Sequence, residues 1–148
     1  MGELAWRHGS IDEVVALSLQ IPEFDNPYGA DEYHRRLQEG RYLIQIAEVD
    51  GEAAGFYASY ANSPQELYLW MSGVVPQFRG LKLASMLLEG LQHWAKQQGF
   101  ERITVKSRNR YPAKLRLLLG NGFHIVELMK KGDSSLDYRI RFAKHIGA

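Results

Sequence analysis

The spacing of apolar residues changes several times along the chain, and each change marks the boundary of an element. Ser10 and Glu13 have the S-x-x-E spacing of a capping box ahead of Ile11, Val14 and Val15, which predicts a first helix starting at Ile11 and ending near Ile21-Pro22. The stretch from Glu23 to Gly29 is rich in turn formers, and a second short helix is predicted from Asp31 to Gln38, stopped by Gly40. From Tyr42 the period shortens. Tyr42, Ile44 and Ile46 alternate with Leu43, Gln45 and Ala47, and Asp50-Gly51 is a two-residue type I′ hairpin signal, so antiparallel strands are predicted over Tyr42–Val49 and Ala53–Tyr60. A third strand is predicted from Glu66 to Val75, rich in the Leu, Tyr, Trp, Met and Val that suit a sheet interior.

Helical spacing returns at Leu83, Leu87, Leu91, Trp94 and Ala95, predicting a long amphipathic helix over Leu81–Gln98 that Gly99 closes. Next come a strand at Arg102–Ser107, a helix opened by Pro112, a turn at Gly120-Asn121-Gly122, and strands at Phe123–Lys130 and Leu136–Phe142. In the last of these Tyr138, Ile140 and Phe142 alternate with Arg139 and Arg141. This order predicts an α/β fold of the α+β kind: one domain over residues 1–148, with a mixed sheet flanked by helices.

A length of 148 residues with 45% hydrophobic and 24% charged content fits that single domain. No run reaches the roughly 18 apolar residues of a membrane span. Met1 to Trp6 lacks the basic start and apolar stretch of a secretion signal, so a cytoplasmic location is expected and no membrane partner. The chain has no cysteine, which removes thiolate nucleophiles and cysteine-ligated metals. The five histidines are scattered without ligand spacing, and no metal is expected. A net charge of +1 gives no long-range pull toward nucleic acid, although cations are dense between Lys106 and Arg116.

The informative stretch runs from Trp70 to Leu88. A strand leads into a tight loop ending in Arg79-Gly80 and then into a helix whose first N–H groups have no intrahelical acceptor and can converge on an anion, a diphosphate above all. Gly80 permits close approach, Ala84 keeps the helix face shallow, and Arg79 and Lys82 add positive charge. The stretch has neither the glycines nor the Lys-Ser/Thr pair of a Walker loop, and G-x-G-x-x-G is absent, which removes nucleotide hydrolysis and hydride transfer.

Val74-x-Pro76-x-x-Arg79-Gly80-x-x-Leu83-Ala84-x-x-Leu87-Leu88 resembles the acetyl-CoA motif of the GNAT superfamily of N-acetyltransferases, (Gln/Arg)-x-x-Gly-x-(Gly/Ala). Gly122-Phe123 resembles the close of the family's second motif, and the inferred element order matches from Ser10 to Phe142. Ile21-Pro22-Glu23-Phe24, Trp70-x-x-Gly73-Val74-x-Pro76 and Val105-Lys106-Ser107-Arg108-Asn109 are similar to a subgroup of largely uncharacterised acetyltransferases. The resemblance implies a GNAT-like, mainly antiparallel sheet, acetyl-CoA as acyl donor, and a primary amine on a small molecule or peptide as acceptor. It also implies that Gly73, Val74 and Val75 hold the pantetheine arm and thioester, and that Arg79, Gly80, Leu81, Lys82, Leu83, Ala84 and Ser85 wrap the pyrophosphate. Two departures stand out. Lys82 replaces the motif's middle glycine, and Leu118 occupies the position of the tyrosine that protonates the departing thiolate.

Proton transfer therefore needs other groups. Tyr111, at the mouth of the second motif's helix, is the candidate donor, and Glu66, at the start of the strand leading to the thioester, is the candidate acceptor acting through water. Asn109 either bonds the coenzyme or caps the helix, and Arg108, Arg110 and Lys114 are candidates for the 3′-phosphate. His34 either walls the acceptor site or is surface. Phe24, Tyr28 and Tyr33, with Glu23, Asp25, Asp31 and Glu32, either line a pocket for a cationic amine or belong to the core. Leu118 leaves open a non-catalytic acyl-CoA sensing module, and the Lys106–Arg116 cations leave open nucleic-acid binding, for which no motif is present. Exposed aromatic strands near Tyr138–Phe142 are compatible with a homodimer.

Overall fold

The computed structural model describes residues 2–37 and 40–147. Its first element, β1 (Leu4–His8), is a strand that apolar spacing does not predict, because a short, half-exposed edge strand carries little alternation. It pairs antiparallel with the strand from Tyr42. Its Trp6 packs on the long helix at Gly90, where a Cβ would stand 2.4 Å from the indole Nε1. Helix α1 (Ile11–Ser18) begins at the predicted capping box. The Glu13 amide donates to Ser10 Oγ at 3.2 Å and the Ser10 amide to the Glu13 carboxylate at 3.0 Å. It stops at Ser18, a turn before Ile21. Helix α2 runs Ala30–Leu37; the predicted end at Gln38 lies outside the described residues.

Strands β2 (Tyr42–Val49) and β3 (Glu52–Ala61) form the predicted hairpin, with Asp50 at φ 52° and Gly51 at φ 84°, both left-handed as a type I′ turn requires. After β4 (Glu66–Val74) a 3-10 turn at Pro76–Phe78 leads to α3 (Leu83–Gln97), two residues later than predicted. Then follow β5 (Arg102–Arg108), α4 (Pro112–Gly120), β6 (His124–Met129) and β7 (Arg139–His145). The last strand starts three residues after the predicted Leu136, which belongs instead to a 3-10 turn over Ser135–Asp137 capped by Ser134.

The seven strands form one sheet in the order β1-β2-β3-β4-β5-β7-β6, antiparallel throughout except for β4 and β5. Each face carries its own core. On one, Leu67, Leu69, Ile103, Val105 and Phe142 pack with Leu83, Leu87, Leu91 and Leu118 of α3 and α4. On the other, Ile44, Ile46, Phe56 and Ala58 pack under Val14, Leu17, Tyr33 and Leu37 of α1 and α2. The sheet register breaks once on β4. Ala58 opposes Met71 and Ser59 opposes Leu69, so Trp70 is an extra, bulged residue. The bulge switches the faces: Leu67 and Leu69 join the α3 side, Met71 the α1 side, and Ser72 returns to the α3 and α4 side, opposite Tyr57. No helix among the described residues is long and apolar enough to cross a membrane.

Candidate active site

The parallel ladder between β4 and β5 extends only from Glu66 opposite Arg102 to Leu69 opposite Val105. Beyond it β5 stays with β7 and β4 with β3, so the strands splay and Trp70–Val74 border a gap. On that edge the β4 backbone has no strand partner, and its N–H and C=O groups are free to bond whatever enters. The gap opens into a cavity of about 1310 Å³ between β4, β5 and the starts of α3 and α4. Ordinary small-molecule sites span roughly 300–1,000 Å³, so this one has room for a long donor and a second reactant.

At one end lies the start of α3. Gly80 (φ 82°) and Lys82 (φ 66°) are both left-handed, and no side chain caps the helix, which leaves the Leu83, Ala84 and Ser85 amides for a ligand. Lys82 takes up a conformation that glycine adopts freely and a lysine adopts at a cost of about 1 kcal/mol, a local strain typical of a working loop. The Tyr57 hydroxyl donates to the Ala84 carbonyl at 3.1 Å and ties this turn to β3. Arg79 is engaged: Nε donates to the Val74 carbonyl at 3.1 Å, and Nη2 pairs with Glu23 at 2.7 Å and holds that carboxyl below its ordinary range against the effect of burial.

Gly73, Val74, Arg79, Gly80, Lys82, Leu83, Ala84, Ser85 and Tyr111 line this cavity together. Three predicted coenzyme contacts do not. Val75 is buried in the α1-side core with its amide spent on the Ala54 carbonyl at 2.8 Å. Leu81 is exposed and does not line the cavity. Asn109 neither caps α4 nor faces the cavity; its amide donates to the Ser135 carbonyl at 2.9 Å, and beside it Arg110 pairs with Asp137 at 2.8 Å, so both fasten the β5–α4 loop to the β6–β7 loop.

Two further side chains border the gap. Lys114, a candidate phosphate contact by sequence, reaches instead from α4 to β4, where Nζ donates to Ser72 Oγ at 3.2 Å. No carboxylate pairs with it among the described residues, and burial alone brings its pKa down from 10.5 to about 8. It sits four residues, one helical turn, before Leu118, so both project from the same face of α4. That spacing was the signal available in the sequence; the contact with Ser72 depends on the bulge at Trp70. Ser107 lines the same cavity from β5, and its buried hydroxyl has no partner.

Glu66 opens onto a neighbouring recess of about 470 Å³, walled by Tyr28, Arg36, Tyr60, Tyr68 and Trp70. Burial pushes its pKa up, but donors from Asn62 (3.0 Å), Arg102 (2.9 Å) and Thr104 (3.2 Å) outweigh this and hold the carboxyl below its usual range. Of the acids expected to attract a cationic amine, Glu23 is spent on Arg79 and Glu32 on Arg35 and Arg36, Asp31 is exposed on α2, and Asp25 lines the cavity. Tyr33 is a core residue whose ring is tilted against Trp70 with centroids 4.8 Å apart, while Phe24 and Tyr28 line the cavity and His34 is exposed on α2. Among the described residues no cluster of three His, Asp or Glu is placed to hold a metal ion.

Solved structures share this fold. The ribosomal-protein-S18-alanine N-acetyltransferase from Escherichia coli superposes with a TM-score of 0.84 at 17% identity, covering 99% of this chain and 96% of that one. Ard1 from Thermoplasma volcanium gives 0.78 at 18% identity, over 97% of each chain. A GNAT family acetyltransferase from Elizabethkingia anophelis, solved with acetyl-CoA bound, gives 0.75 at 14%, over 96% of this chain and 97% of that one. No curated protein matches by sequence. Residues 11–123 match the Acetyltransferase (GNAT) family, and the chain belongs to it.

Proposed function

We propose that the chain, as one acetyltransferase domain, transfers the acetyl group of acetyl-CoA to a primary amine by direct attack on the thioester. The observation that carries this reading is the gap past Leu69 and Val105, which joins free β4 backbone, an uncapped helix start and a half-buried lysine in one cavity. The residues present fit the donor. The Leu83, Ala84 and Ser85 amides, with Arg79 and Lys82, hold the pyrophosphate, for which Arg79 gives up Glu23. The unpaired edge of β4 at Gly73 and Val74 and the orphaned Ser107 hydroxyl meet the amide-rich arm. A β4 backbone N–H polarises the acyl carbonyl.

Lys114 takes the part left vacant by Leu118. With a pKa near 8 it is largely protonated at neutral pH, and from beside Ser72 it donates its proton to the thiolate as the C–S bond breaks. Tyr111, the first residue before α4, lines the cavity without a bond to β4 and stands second to it. Glu66, its lone pairs already serving three donors, is too weak a base to retain the proton that the amine releases, and that proton leaves to water through the open recess. A non-catalytic acyl-CoA sensor is the alternative favoured by Leu118.

The test is to incubate the protein with acetyl-CoA and a panel of primary amines, following free thiol, while calorimetry measures acetyl-CoA binding. Binding with thiol release is the expected result. Binding without release across the panel replaces the enzyme with a sensor, and no binding at millimolar acetyl-CoA removes both.

A further inference from the structure

Lys106 and Arg108 alternate with Val105 and Ser107 on β5, and Arg139 and Arg141 alternate with Ile140 and Phe142 on β7. The apolar members face α3 and α4, so all four cations project from the opposite face. No helix covers them there, since α1 and α2 pack over β2 and β3. The register makes this arrangement costly: Lys106 stands directly opposite Arg141 and Arg108 directly opposite Arg139. Like charges in facing positions destabilise a sheet. Strand cations often serve to discourage edge pairing, but β5 and β7 are interior strands of this sheet. Of the four, Arg141 is ion-paired among the described residues, with Glu127 on β6 at 3.3 Å. Lys106, Arg108 and Arg139 make no ion pair among the described residues, and Asp137, which lines the same cavity, is held by Arg110. In the adjoining recess the other acid, Glu66, is neutralised by Arg102.

We infer that these cations bind an oxyanion carried by the acceptor, so that the amine substrate bears a carboxylate or phosphate beside an apolar body. This deepens the acetyl-transfer reading and rests on it. Lys106, Arg108 and Arg139 line the same cavity as Ser72 and Gly73, which places the anion and the amine of one small molecule within a single chamber. The apolar body meets Tyr28, Tyr68 and Trp70. All three rings already face cations: Arg36 lies 4.6 Å over Trp70 and 5.9 Å over Tyr28, and Lys106 Nζ lies 5.6 Å from the Tyr68 centroid. The donor's pyrophosphate does not compete, because the uncapped start of α3 lies on the other side of the sheet. A guanidinium fork suits either oxyanion.

Two measurements separate this inference from the reading beneath it. The first is binding without turnover: calorimetric titration of the protein saturated with coenzyme A, using N-acetyl amino acids against their amides and N-acetyl aminoalkyl phosphates against the corresponding alcohols. The charged member of at least one pair is expected to bind about 10-fold tighter or more. Arg139→Gln is expected to erase that preference while leaving acetyl-CoA affinity unchanged. The variant relieves a like-charge opposition, so it is expected to fold at least as stably as the parent, which a melting curve checks. The second measurement is thiol release with the parent amines. Charged products that bind through Arg139 without any transfer leave the anion site standing and remove the acetyltransferase reading. Equal binding of charged and neutral members, or a preference that Arg139→Gln and Lys106→Gln both leave intact, overturns the inference even where transfer occurs. Loss of acetyl-CoA affinity in Arg139→Gln also overturns it, since the cations would then serve the donor.

Discussion

Replacing Lys114 with methionine separates what the residue costs the fold from what it contributes to the reaction. The ammonium is held near pKa 8 against 10.5 in the unfolded chain. At about 1.4 kcal/mol per tenfold change in acidity, that corresponds to an upper limit of about 3 kcal/mol. The side chain is only half-buried, so solvent brings the cost to about 1.5 kcal/mol. Because the folded pKa is depressed, the unfolded chain binds more protons between about pH 8 and 10.5, and stability rises with pH across that window as the cost disappears. Lys114→Met is therefore expected to melt roughly 3–6 °C above the wild type at pH 7 and to lose that advantage by pH 10.5. Other groups titrate in the same range, so the quantity to read is the difference between the two proteins in paired thermal or urea unfolding at each pH. Acetyl transfer is expected to fall about 100-fold and the pH–rate profile to lose its limb near pH 8, with acetyl-CoA affinity retained. A stability gain that is the same at pH 7 and pH 10.5 would refute the burial argument. An unchanged rate profile would remove Lys114 from the reaction.

Two further predictions concern the scaffold. Gly90→Ala in the middle of α3 would ordinarily stabilise a helix by about 1 kcal/mol, but here the new Cβ meets three atoms of the Trp6 indole within 2.8 Å, and a net loss of about 1–2 kcal/mol is expected. A raised melting temperature would show that β1 lifts from α3 without cost. Glu13 has its pKa held down to about 2 by hydrogen bonds from Arg7 and from the Ser10 backbone, so its contribution is complete above pH 4.5 and is lost as the pH falls toward 2. Glu13→Gln is expected to flatten the stability profile over that interval in urea titrations; an unaltered acid slope would mean that the ion pair with Arg7 does not persist in solution.

Most of the fold was legible because its signals are local. Ser10 and Glu13 fix the start of α1, and Asp50-Gly51 fixes the hairpin, since each acts within four residues. The helix start at the phosphate loop was also visible, although its entry lies at Leu83 because Gly80 and Lys82 spend two residues on left-handed turns. What could not be read depends on which strands become neighbours. The cations of β5 and β7 were visible as alternation along each strand, yet their opposition needs β7 to insert between β5 and β6. The contact of Lys114 with Ser72 needs the register of β4 against β3. The surroundings of Asn109 and Val75 were hidden for the same reason: their partners, Ser135 and Ala54, are distant in sequence.

The surplus residue at position 70 makes β4 a strand that counts. Upstream of it odd-numbered side chains serve the α3 core; downstream Ser72 and Val74 take over that duty, while Gly73 turns to Ile21 and Phe24. Deleting Trp70 itself would leave the pairing with β3 continuous and every flanking side chain on its present face, since Leu69 and Met71 already oppose Ser59 and Ala58; what would go is the indole that Tyr33 and Arg36 pack against. Tolerance of length change is thus uneven along this strand: position 70 can lose its residue without moving a neighbour to the other face, whereas one residue gained or lost elsewhere between Glu66 and Val74 reverses one flank and rebuilds the pocket.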